Sequence, residues 1–136
     1  MEILHLGQQK NYLNNLKRNN IMNKEVNFNL AKLLKEKGYA NYSSSLYLES
    51  GKFRENIGNY NGVDDIHYIS YSAPTIADVI MWLYETHNIW IEVSREYDKD
   101  KYLYQYFIDK NSQEFGFKTP IKAYEVAIEY TLNNLI

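Results

Sequence analysis

"YSAPTIADVIMWLYETHNIWIEV", residues 71–93, carries the clearest secondary-structure pattern in the chain. Two tryptophans, a histidine and several acidic or hydroxyl side chains crowd it, as they would a small active site, but their spacing serves structure. Thr75 and Asp78 form a T-x-x-D amino-terminal cap, with Pro74 marking the boundary just ahead. Ile76, Val79, Ile80 and Leu83 then recur at one-face helical spacing, the buried stripe of an amphipathic helix that His87 and Asn88 bring to an end. "IWIEVS" follows with β-branched and aromatic residues in alternation, "DKDK" is a polar turn, and "YLYQYFID" is a second strand. Residues 71–93 therefore lead from a helix into a β-hairpin.

Upstream, Leu30, Leu33 and Leu34 share one helical face from Asn29 onward, and Gly38 stands where a carboxyl cap belongs. "SSLYLES", "GKFRENI" and "IHYISYS" are three short runs with partial alternation, separated by Ser50-Gly51 and by "GNYNGVDD". Downstream, after a loop, "GFKTPIKAYEVAIEYTLNNLI" opens with Thr119 as cap and Pro120 at the first helical position. Ile121, Tyr124, Ile128, Leu132 and Leu135 are its buried face. The order α-β-β-β-α-β-β-α, with connections too short for parallel crossovers, predicts an α+β domain: one antiparallel sheet with helices packed on one face.

The 136 residues suffice for a single core, placed at residues 23–136. Residues 1–22 read as an amino-terminal extension outside that core, because apolar Leu6, Tyr12, Leu13 and Leu16 are interrupted by Gly7 and followed by an Asn-rich basic stretch. Charge is divided along the chain. Residues 1–40 hold seven Lys/Arg against three Glu, a balance of +4, and residues 41–136 hold eight against fourteen acids, a balance of -6. The absence of cysteine removes disulfides, thiolate metal sites and cysteine nucleophiles. No secretory signal pattern and no membrane-length apolar run is present, so a cytoplasmic protein with no membrane partner is expected.

Chemistry finds little support. His5 falls in the extension, and His87 in the last turn of a helix suits the carbonyl end electrostatically. Asp65 and His67 would point the same way on a strand, as two metal ligands do, but no third ligand accompanies them and Asp64-Asp65 serves equally well as turn chemistry. No D/E-x-K tripeptide occurs, nor any phosphate-binding glycine loop, nucleophile-elbow serine or H-E-x-x-H helix. Glu125 and Glu129, four apart on a helix, flank the buried stripe as a solvated face. We therefore expect no catalytic residues, no metal and no cofactor.

Tyrosine is the unusual feature. Tyr97, Tyr102, Tyr104 and Tyr106 cluster on the hairpin, with Trp90 on its first strand, and the last three project from one face of a regular strand. Trp90, Arg95, Tyr102, Tyr104 and Tyr106 are the candidate binding residues, since aromatic and arginine side chains anchor protein interfaces. Leu103 and Phe107 make the opposite face apolar as well, which points to a cover by another copy of the protein, a homo-oligomer. A nucleic-acid partner is not expected: Arg95, Lys99, Lys101 and Lys110 face five acids, Glu92, Glu96, Asp98, Asp100 and Asp109, a balance of -1. Lys10, Lys17, Arg18 and Lys24 make only a sparse basic arm.

"LAKLLKEKGY", "SAPTIADVIMWLYETHNIWIEV" and "AYEVAIEYTLNNLI", in that order and at this spacing, resemble a group of small uncharacterised proteins from Bacteroides-type gut bacteria, their phages and mobile elements. The likeness covers residues 28–136 and makes Met22 the usual start. It implies an accessory gene product of a phage or mobile element, and no activity or functional residue comes with it. The expected function is non-enzymatic, through a host or phage protein partner. The alternative is an oligomer that binds a small ligand, a nucleotide signal of host defence, through Arg54, Arg95, Trp90 and the hairpin tyrosines at a subunit boundary.

Overall fold

The computed structural model describes residues 21–62 and 68–136. Helix α1 (Phe28–Glu36) is followed by strands β1 (Leu46–Leu48), β2 (Phe53–Arg54) and β3 (Ser70–Ser72). Helix α2 (Ile76–His87) leads to strands β4 (Ile91–Asp98), β5 (Lys101–Ile108) and β6 (Asn111–Phe117), and helix α3 (Pro120–Asn134) closes the described chain. The α+β architecture with antiparallel pairing is as the sequence predicts. Two details differ. The strands form two three-stranded sheets, β2-β1-β3 and β4-β5-β6, in place of one, and residues 111–117, expected to be a loop, supply a sixth strand.

Both differences have physical causes. Strands of two and three residues in the first sheet offer too short an edge to continue into the eight-residue strands of the second. The sequence of β6, Asn-Ser-Gln-Glu-Phe-Gly-Phe, lacks the apolar alternation by which strands are recognised. It pairs at an edge, with register shifts on either side of Gln105 and a left-handed Gly116 at φ 106°, so turn geometry at Asp109-Lys110 determines its place more than side-chain pattern does.

The helix signals are realised in detail. Thr75 Oγ1 accepts from the Asp78 amide while the Asp78 carboxylate accepts from the Thr75 amide, a reciprocal capping box. At the other end Asn88 adopts the left-handed conformation, φ 56°, and terminates α2. Thr119 caps α3 through the Lys122 amide, with Pro120 at its start. The core is the meeting of three helix faces: Leu30, Ala31 and Leu34 of α1; Ile76, Val79, Ile80 and Leu83 of α2; Tyr124, Ala127, Ile128 and Leu132 of α3. Leu33 and Ile121, expected in these stripes, are only partly buried, and Leu135, expected on the buried face, is 44 % exposed just past the end of α3. Met22 and Val26 are fully buried with them, so the chain is packed into the core from the residue at the extension boundary onward.

The first sheet depends on side-chain hydrogen bonds where backbone pairing runs out. Asn61 donates to the Tyr39 carbonyl at 3.0 Å and accepts from the Ser72 amide at 2.8 Å. Asn59 bonds both Ser70 and Ser72 hydroxyls at 2.9 Å. Buried polar groups must find partners, and here a serine-asparagine network provides them. Asp65 and His67, the pair considered as metal ligands, lie outside the described residues, as does His5.

Both hairpins of the second sheet turn through two residues with positive φ: Lys99 and Asp100 at 48° and 66°, Asp109 and Lys110 at 49° and 73°. This is the type I′ turn, which matches strand twist but which glycine occupies most easily at the second position. Lys110 thus carries the steric cost of a left-handed non-glycine residue, about 1–2 kcal/mol, against which glycine's greater unfolded-state entropy must be set. Lys110→Gly is expected to stabilise the protein by about 0.5–1 kcal/mol, raising Tm by about 2–4 °C in calorimetry.

Candidate interaction surface on the β4–β5 hairpin

Pairing of β4 with β5 is continuous from Ile91–Ile108 to Asp98–Lys101, and directly opposed residues share a face. One face carries Ile91, Val93, Arg95 and Tyr97 beside Tyr102, Tyr104, Tyr106 and Ile108. The other carries Glu92, Ser94 and Glu96 beside Leu103, Gln105 and Phe107. Helix α3 packs on the first face, so we call it the inner face. The sequence expectation that Tyr102, Tyr104 and Tyr106 share a face holds, and the structure adds that they sit at very different depths.

Tyr106 is a core residue, 3 % exposed, in ring contact with Phe117 at 5.9 Å. Tyr104 is partly buried, and Tyr102 is 54 % exposed, so the hairpin runs out from beneath α3 toward its turn. Trp90 does not join the tyrosines. Its indole nitrogen donates to Glu92 Oε1 at 2.9 Å and its ring meets Tyr84 edge-on at 5.6 Å, which sets it with the outer-face residues and the end of α2. The five candidates thus divide: Tyr106 is structural, Trp90 belongs elsewhere, and Arg95 and Tyr102 remain together with Tyr104 at their border.

Arg95 and Tyr102 are in direct contact. The guanidinium carbon lies over the Tyr102 ring, 4.2 Å from its centre, a cation-π contact. Tyr97, 63 % exposed, packs its ring against Tyr102 at 5.3 Å and donates its hydroxyl to Asp100 Oδ1 at 3.0 Å. The turn therefore fixes Tyr97, Tyr97 flanks Tyr102, and Tyr102 carries Arg95. Sequence reasoning counted Tyr97 in the cluster but left it out of the binding residues. Its cross-strand pairing with Tyr102 becomes visible only once the turn is placed at residues 99 and 100.

The outer face keeps the apolar character expected of Leu103 and Phe107, both partly buried, and gains Phe115 from β6, which is opposite Gln105 and 44 % exposed. Sequence pattern does not reveal Phe115, because β6 lacks the apolar alternation of a strand. Among the described residues no three His, Asp or Glu side chains gather into a metal site. The His87 Nε2 atom is enclosed without a hydrogen-bond partner, the ring lying edge-on to Trp82 at 4.9 Å, where it closes the end of α2. No helix of the described residues is long and apolar enough to cross a membrane.

The depth gradient gives a direct test. Tyr106→Ala is expected to cost about 3–5 kcal/mol in urea unfolding, as removal of a buried aromatic ring does, while Tyr102→Ala changes stability by less than about 1 kcal/mol. Burial also pushes the Tyr106 hydroxyl above its ordinary value of 10.0, with Glu114 and then Tyr130 adding to the effect. Tyr39 and Tyr47 are raised too, each chiefly by burial. Below pH about 10 neither state is ionised and this contribution is intact; above it the unfolded chain loses these protons first, so stability falls as pH rises. Denaturation midpoints measured upward from pH about 9 are expected to decline past pH about 10, and less steeply in Tyr106→Phe.

The chain matches no protein-family model, and no curated protein or solved structure is similar to it.

Proposed function

We propose that this protein acts without catalysis, as a cytoplasmic accessory protein of a phage or mobile element that binds another protein through the inner face of the β4–β5 hairpin tip. The observation that carries the reading is the assembly of Arg95, Tyr97 and Tyr102 into one contacting, solvent-exposed cluster. Tyrosine and arginine dominate interface hot spots because they bring large contact area and directed hydrogen bonds at small rotamer cost. A cluster already ordered by its own contacts binds with less entropy lost than one that must be assembled on encounter.

Self-association belongs to the same reading. Leu103, Phe107 and Phe115 line the outer face of the second sheet, on the side away from α3, and a second copy would shield them. Both parts are testable with the purified chain. A native mass spectrum is expected to show more than one subunit and no added small molecule. A Tyr97→Ala/Tyr102→Ala variant is expected to melt like the wild type while losing at least one protein that the wild type captures from host lysate. An unchanged captured set would remove the hairpin from the binding function; retained mass in the range of a nucleotide would replace this reading with ligand sequestration.

A further inference from the structure

Resting on that reading, we infer that the hairpin tip recognises a carboxylate: the partner segment is an acidic peptide stretch whose Asp or Glu is gripped by Arg95. Arg95 contacts the ring of Tyr102, and among the described residues no carboxylate or carbonyl accepts from its guanidinium. A cation-π contact leaves the guanidinium N–H donors for an acceptor, and a carboxylate can meet two of them with parallel hydrogen bonds.

The acids that flank Arg95 along β4 are turned away from it. The nearest acids along β4, Glu92 and Glu96, lie on the outer face, where Glu92 accepts from Trp90 and Glu96 from the Ser94 hydroxyl at 2.9 Å. On the inner face Arg95 is opposite Tyr104, and Tyr104 is opposite Phe117, so the row across the sheet at this level holds one cation and no acid. Lys118 follows Phe117 directly, and the first turn of α3 contains Lys122 and no acidic residue. One carboxylate does stand at the tip, Asp100, which accepts from the Tyr97 hydroxyl at 3.0 Å, and Glu114 acts on Tyr106 deeper under α3; the local charge is mixed, and Arg95 is the cation set against the Tyr102 ring.

Charge count also selects among anions. A nucleic-acid strand presents a phosphate at every nucleotide and needs a file of cations to follow it. The inner face offers one arginine between neutral tyrosines, which suits one carboxylate with an apolar or aromatic neighbour to rest on Tyr97 and Tyr102.

The test is selection of a displayed random-peptide library on the immobilised full-length chain, followed by titration of a synthetic peptide of the recovered sequence. Recovered peptides are expected to be enriched in Asp and Glu. Arg95→Gln is expected to weaken the synthetic peptide about tenfold or more, amidation of its acidic residue to do the same, and the two changes together to cost little beyond either alone. Recovered peptides without acidic enrichment, or affinity unchanged by Arg95→Gln, would overturn the carboxylate assignment. If binding is then still lost in Tyr102→Ala, the hairpin remains the binding surface; if it survives there too, both readings fall. Arg95 and Tyr102 are solvent-exposed, so neither variant compromises folding.

Discussion

Everything in this molecule depends on the two-sided burial of helix α3. Its stripe of Tyr124, Ala127, Ile128 and Leu132 is fully enclosed, packed on one side against the second sheet and on the other against α1 and α2. Without it the second sheet has no apolar layer on its inner face, and Ile91, Tyr106 and Ile108 would be left in water. The two halves of the chain are also joined through it: the side-chain amide of Asn27, the residue that caps α1, donates to Glu125 at 2.9 Å. A single helix covers a strip about 10 Å wide, less than the length of an eight-residue strand at about 3.3 Å per residue. A hairpin held by one such helix can project beyond its cover, and the exposure of β5 rises from Tyr106 to Tyr102 accordingly.

Helices were the most legible part of the sequence because their signals are local. Thr75 with Asp78, Thr119 with Pro120, and Asn88 beyond His87 each act within one turn, and each does in the structure what its position implies. Strand assembly is less legible because it depends on partners distant in sequence. The three short upstream runs were recognisable as strands, yet nothing local says that they close among themselves. What closes them is the asparagine-serine network at residues 43–72, where Asn59 and Asn61 substitute for the backbone pairing that strands of two or three residues cannot supply. Strand β6 was illegible for a related reason. It is located by the Asp109-Lys110 turn, whose two left-handed residues are not glycines and so do not announce themselves.

The candidate surface was legible in composition and face, and illegible in depth. Period-two alternation is enough to align Tyr102, Tyr104 and Tyr106. It says nothing of where along the strand the helix layer stops, so a buried tyrosine and an exposed one look alike. Trp90 shows the same limit at the other end of the hairpin: one residue before β4, it takes the side that brings its indole to Glu92, and no periodicity argument reaches across a strand boundary.

Conformation also determines which charges remain available. The stretch Glu92-Val93-Ser94-Arg95-Glu96 holds acids three before and one after the arginine. On a helix the three-residue spacing would bring Glu92 beside Arg95 and offset its charge. On a strand, positions three apart and one apart fall on opposite faces, and the pair cannot meet. Glu92 and Glu96 turn outward to Trp90 and Ser94, while Arg95 is left inward against Tyr102. The free cation at the tip is thus a direct product of β structure at this sequence, and the tyrosine that β5 places across from it turns a solvated side chain into an ordered one. The display of Arg95 on the Tyr102 ring follows from pairing register alone.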